Sequence, residues 1–165
     1  MGSGKSSVGQ LVAGSLEFGF LDTDTLIEEQ TGKRICQIFE ESGEPHFRAL
    51  ERMVVARLSE VRDTVISTGG GLIIDPANLA SLKTHSLVVC LWACAEAILE
   101  RVSHQDQRPL LRNPDPLSTI RILLEQRGPF YREADILINT ENRSIKEVAQ
   151  HVVWQFRLAR QTRAT

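Results

Sequence analysis

Met1-Gly2-Ser3-Gly4-Lys5-Ser6, at the head of the chain, reads as the back half of a nucleotide phosphate-binding loop. The pattern G-x-x-x-x-G-K-[ST] wraps a polyphosphate in successive backbone N–H groups. Its Lys reaches the β- and γ-phosphates and its hydroxyl meets Mg²⁺. Gly4, Lys5 and Ser6 supply the end of the pattern, and Gly2 and Ser3 are small enough for close backbone approach. The first Gly of the pattern, and the strand that launches such a loop, would fall upstream of Met1. A bare Gly-Lys-Ser is a modest signal, and a chance glycine-rich start would also produce it. What strengthens it is the spacing of Gly9, Leu11, Val12 and Leu16, which predicts a helix running away from the loop. Phosphate would then sit at a helix N-terminus.

Working outward, short apolar runs alternate with amphipathic segments, the pattern of βα units on a parallel sheet. Phe20-Leu21, Val65-Ile66, Leu87 to Trp92 and Ile136 to Ile138 are the four visible strands, with a fifth implied ahead of Gly2. Phe47, Leu50, Val54, Leu58 and Val61 recur at helical spacing. Asp75-Pro76 and Asp115-Pro116 each read as an N-cap followed by Pro at the first helical position. Ser144 to Glu147 reads as a capping box. With no repeat or linker, the 165 residues form one domain, able to bury roughly 70% of the unfolded surface.

Composition narrows the function class. Hydrophobic residues make up 42% and charged residues 24%, and the net charge is −2. A chain without basic excess is not a general nucleic-acid binder. The longest apolar run, Leu87 to Ala95, is too short to span a membrane. The loop at the N-terminus leaves no room for a signal peptide, and three cysteines (Cys36, Cys90, Cys94) fit a reducing cytoplasm. Cys90 and Cys94 have no His beside them and read as small buried hydrophobes rather than metal ligands.

Asp22-Thr23-Asp24 ends the first visible strand, where open α/β sheets bind ligands. The two carboxylates could serve Mg²⁺ and a substrate hydroxyl. Alternatively, Thr23 or Asp24 caps a helix from Thr25 to Thr31. Gly69-Gly70-Gly71 ends the second strand, with more glycine than a turn needs, suggesting close approach of backbone to ligand. Arg48, Arg108 and Arg127 offer planar forks suited to carboxylate or phosphate.

Taken together, these segments resemble the shikimate kinases, a family of P-loop kinases. The resemblance is carried in order by Gly2 to Ser6, Phe20 to Asp24, Ile38 to Arg48, Gly69-Gly70-Gly71, Arg108-Pro109-Leu110-Leu111 and Arg127-Gly128-Pro129-Phe130-Tyr131. It implies a three-layer α/β/α domain with a five-stranded parallel sheet whose central first strand lies outside this sequence. It also implies a lid over about 103–115. The activity implied is ATP-dependent phosphorylation of the shikimate 3-hydroxyl by a cytoplasmic monomer. Gly2, Ser3, Gly4, Lys5, Ser6 and Ser7 would hold ATP, with Arg143 near the adenine. Ser6 and Asp22 would hold Mg²⁺. Lys5, Asp24 and Arg108 would be catalytic, Asp24 as the base. Asp24, Arg48, Gly70 and Arg127 would bind shikimate. A kinase for gluconate or a nucleoside monophosphate, and a domain that binds without catalysing, are the other readings.

Overall fold

The computed structural model describes residues 2–103 and 114–163. Four short strands and seven α-helices are arranged along them: α1 (Lys5–Leu16), β1 (Gly19–Asp22), α2 (Thr23–Thr31), α3 (Ile35–Leu58), β2 (Thr64–Ser67), α4 (Pro76–His85), β3 (Val89–Trp92), α5 (Ala95–Ser103), α6 (Pro116–Arg132), β4 (Ile136–Asn139) and α7 (Ile145–Arg163). The strands fall on the four apolar runs. β1 pairs with β2 in parallel, Phe20 opposite Val65, and β3 pairs with β4, Cys90 opposite Leu137.

The gap expected at the central first strand of the sheet appears among the described residues. They give two separate two-stranded sheets, ordered β1-β2 and β3-β4. Both nonetheless belong to one layered body. Val65, Val89, Leu91 and Ile136 pack against Val8 and Val12 of α1 and Val148 and Val153 of α7. On the opposite face Leu21, Ile66 and Val88 pack against Ile27 of α2, Val54 and Leu58 of α3, and Leu79 and Leu82 of α4. In β2, the adjacent residues Val65 and Ile66 thus enter opposite layers, as strand geometry requires. Beyond the end of β3, Ala93 joins Ile98, Val102 and Ile120 in a third cluster between α5 and α6.

Local chemistry explains the helix starts. Asp75 accepts from the Ala77 amide and Asp115 from the Ser118 amide, each ahead of a Pro. Ser144 and Glu147 exchange hydrogen bonds as a capping box. One detail departs from the sequence reading. Helix α2 begins at Thr23 rather than Thr25, and its cap is Asp22, whose Oδ1 accepts from the Asp24 amide at 3.1 Å. Leu11 is exposed, because α1 is held by Val8, Val12 and Gly9, the last flush against the Phe20 ring. Helix α3 is two segments joined at Gly43, whose φ of 74° and ψ of 173° lie outside the helical region.

Candidate active site

The loop Gly2 to Gly4 delivers the chain to the N-terminus of α1. Gly4 takes φ +83°, a left-handed conformation that side chains disfavour, and its carbonyl receives the first helical bond, from Val8 at 2.9 Å. The amides at the start of α1 have no intrahelical partner and point outward with the positive end of the helix dipole. They open onto a cleft of about 630 Å³.

Side chains from α1, β1, α2, β2 and α6 meet in this cleft. Ser6 donates to Asp22 Oδ2 at 2.9 Å and lies 3.3 Å from the Ser67 hydroxyl. Lys5, Asp24, Gly69, Gly70 and Arg127 also border it. Ser67 and Gly69 thereby tie the end of β2 to the ends of α1 and β1. The tie is reinforced by the Gly69 amide, which donates to the wholly buried Thr23 hydroxyl at 3.1 Å. Tyr131 of α6 donates to the Gly70 carbonyl at 2.8 Å, fixing the glycine turn from the other side.

A second charged group lies behind the glycines. Arg48 Nη1 bonds Glu51 Oε2 at 2.6 Å, while its Nε and Nη2 bond Glu44 Oε1 at 3.1 and 2.7 Å. Burial opposes the Arg48 charge, but the two glutamates outweigh it and hold its pKa above the usual value. Glu51 is 1% exposed. Desolvation pushes its carboxyl up against the opposing bond from Arg48, and the charge of Arg127 also acts on it. The Asp24 carboxyl is likewise pushed up, first by desolvation and then by Asp22, with Lys5 opposing. Asp24 Oδ1 and Glu51 Oε1 are both buried and accept no hydrogen bond from the protein. Both approach Gly69: a Cβ there would stand 2.6 Å from Asp24 Oδ1 and 3.3 Å from Glu51 Oε1. Two orphaned acceptors thus stand around the Gly69 position.

At the far end, Arg143 borders the cleft, exposed, with Nη1 3.1 Å from His151 Nδ1. Arg101, which the sequence reading did not single out, borders it too, held by the Thr140 hydroxyl and carbonyl at 2.8 and 2.7 Å. Glu51 and Glu44 were also missed, although their spacing of three and four from Arg48 places all three on one helical face. Arg108 and most of the lid expected over 103–115 lie outside the described residues.

The oxygen set of Ser6, Asp22 and Ser67 suits a hard cation such as Mg²⁺, which takes one or two carboxylates and completes its shell with phosphate and water.

Comparison with known proteins finds relatives along nearly the whole chain. The family model described as shikimate kinase matches residues 1–157. A shikimate kinase of Caldanaerobacter subterraneus subsp. tengcongensis is 44% identical over 153 residues, 93% of this chain and 90% of the relative. One from a Synechococcus strain is 42% identical over 161 residues, 97% of this chain and 85% of the relative. A solved shikimate kinase from Acinetobacter baumannii, in complex with shikimate, superposes with a TM-score of 0.89 at 38% identity. It covers 97% of this chain and 89% of its own. With its cleft, its layered fold and this match along nearly all its length, the chain belongs to the shikimate kinase family.

Proposed function

We propose that this chain transfers the γ-phosphoryl group of ATP to the 3-hydroxyl of shikimate, giving shikimate 3-phosphate and ADP. The observation that carries the reading is the meeting of two sites in one cleft. A phosphate-binding helix start, with Lys5 and Ser6, faces a pocket bounded by Asp24, Gly70 and Arg127. Phosphoryl transfer asks for in-line positioning and relief of developing charge more than for covalent chemistry.

Each residue has a part in that scheme. The amides from Gly2 to Ser7 and the Lys5 ammonium hold the β- and γ-phosphates, and Arg143 borders the end that receives adenine. Ser6 and Asp22 would hold Mg²⁺, which would supply positive charge against the transferring phosphoryl group. Arg48 and Arg127 hold the acceptor's carboxylate, and Gly70 lets its ring approach the backbone. Asp24 accepts the hydroxyl proton as the acceptor oxygen attacks; its raised pKa favours that acceptance. Arg108 adds charge relief from the lid. The catalytic unit is a monomer, since one chain supplies every residue named. Its three thiols are free and no helix among the described residues is long and apolar enough to cross a membrane, which supports a place in the cytoplasm.

A coupled ADP assay with shikimate, gluconate and cytidylate tests the assignment. Turnover requires shikimate and Mg²⁺; faster turnover with either other acceptor overturns it, and binding of shikimate without turnover would mark a non-catalytic domain.

Gly69 gives a sharper test of Asp24. A methyl group at Gly69 displaces the Asp24 carboxylate, whose Oδ1 would lie 2.6 Å away, while the backbone φ there is an ordinary one. Gly69→Ala therefore melts within a few degrees of the parent chain but loses about a hundred-fold in kcat, the scale of a 1 Å misplacement. Unchanged kcat would remove Asp24 from the proton transfer.

A further inference from the structure

Arg48 is engaged before any substrate arrives. A guanidinium grips a carboxylate through a pair of nitrogens, either Nε with Nη2 or the two Nη. The two Nη atoms stand 2.6 and 2.7 Å from where a Gly71 Cβ would lie, so that edge is turned to the glycine backbone. The Nε/Nη2 pair is the remaining fork, and Glu44 Oε1 sits in it, 3.1 and 2.7 Å from its two nitrogens. The two glutamates on Arg48 differ in one decisive respect. The Glu51 side chain is 1% exposed, whereas that of Glu44 is 61% exposed. Glu51 has nowhere to go; Glu44 can swing into water.

We propose that Glu44 is a built-in competitor for the substrate's carboxylate, filling the Arg48 fork in the empty cleft and yielding it when substrate binds. This rests on the reading of Arg48 as a carboxylate clamp.

The local sequence builds the device. Gly43 breaks α3, and Glu44 opens its second segment four residues before Arg48, the favourable order for an acid–base pair on a helix. On release, the Glu44 charge remains beside a helix N-terminus, which favours an anion, so letting go costs little. An exposed pair at this spacing is weak, so Glu44 weakens substrate binding by about two- to five-fold rather than blocking it. The gain is selectivity. A small anion that offers only a charge must displace Glu44 for nothing, whereas a ligand that also satisfies Asp24 Oδ1 and Glu51 Oε1 brings hydrogen bonds Glu44 cannot match.

Calorimetric titration of the chain and its E44Q, E44A and R48A variants tests this, with shikimate and shikimate methyl ester as ligands and melting curves to check folding. Both Glu44 variants bind shikimate about two- to five-fold tighter, with no gain for the ester, and the shikimate KM falls by the same factor while kcat does not rise. Acetate inhibits the Glu44 variants more strongly than the parent. Unchanged or weaker shikimate binding in both, or an equal gain for the ester, overturns the competitor. R48A separates the two ideas: if it binds shikimate as the parent does, the clamp reading itself falls.

Discussion

Replacing Lys5 by alanine lowers kcat by about a hundred- to a thousand-fold and leaves the shikimate KM within about two-fold. The magnitude follows from losing one preorganised group aimed at charge that develops in the transition state. Lys5 is the first residue of α1, and among the described residues no ion pair engages it. Its charge is felt at Asp24, so it stands between the phosphate loop and the acceptor pocket. A lysine held in reserve in this way contributes little to the fold, and Lys5→Ala melts near the parent temperature. The split matters as much as the loss. A fall in kcat and kcat/KM together marks an interaction made in the transition state, whereas a rise in KM alone would mark simple binding. Lys5→Arg keeps the charge but not the compact ammonium, and recovers only part of the rate. A loss below about ten-fold for Lys5→Ala would remove Lys5 from the chemistry.

Much of this site is legible in the sequence because its signals are local. The caps of α4, α6 and α7 involve residues two or three apart, so Asp75, Asp115 and Ser144 with Glu147 declare themselves. The strands are short apolar runs bounded by turn residues, and each structural strand falls on one. What the sequence hides is non-local. Nothing near Asp24 reveals that Glu51 will lie beside it across Gly69, since the pairing depends on α3 packing behind the glycine turn. Glu44 and Glu51 look like ordinary acids on a solvated helix face. Only the Arg48 geometry shows that one is buried and the other free to move.

Strand pairing is the other non-local feature, and it gives the largest expected effect on stability. β2 pairs with β1 along one edge and β3 with β4 along one edge, and among the described residues nothing bonds the remaining edges. Both sheets pack on α1 through Val65, Val89 and Leu91. An apolar cavity of about 80 Å³ runs along β3 from Val88 to Ala93 and reaches Gly69 and Gly70 at the end of β2. A strand fed from ahead of Gly2, parallel to both, would bond the two open edges and place side chains in both helical layers. About five apolar residues form such a central strand. At roughly 1.5–3 kcal/mol per buried side chain, four fully buried ones contribute about 6–12 kcal/mol. That is comparable with the whole stability of a typical domain, about 5–15 kcal/mol. At about 2–4 °C per kcal/mol for a chain of this size, the melting temperature rises by more than about 10 °C. The prediction is that the 165-residue chain melts broadly and holds ATP weakly. An extension of about ten residues, carrying a Val/Ile-rich strand that ends in glycine before Gly2, gives a sharp transition and tight ATP binding. A Ser/Gly extension of equal length controls for added mass, and hydrogen exchange at Thr64–Ser67 and Val89–Trp92 reports where protection is gained. A sharp melt and full activity without the extension, or equal gains from the Ser/Gly control, would show that the two sheets are stable as they stand.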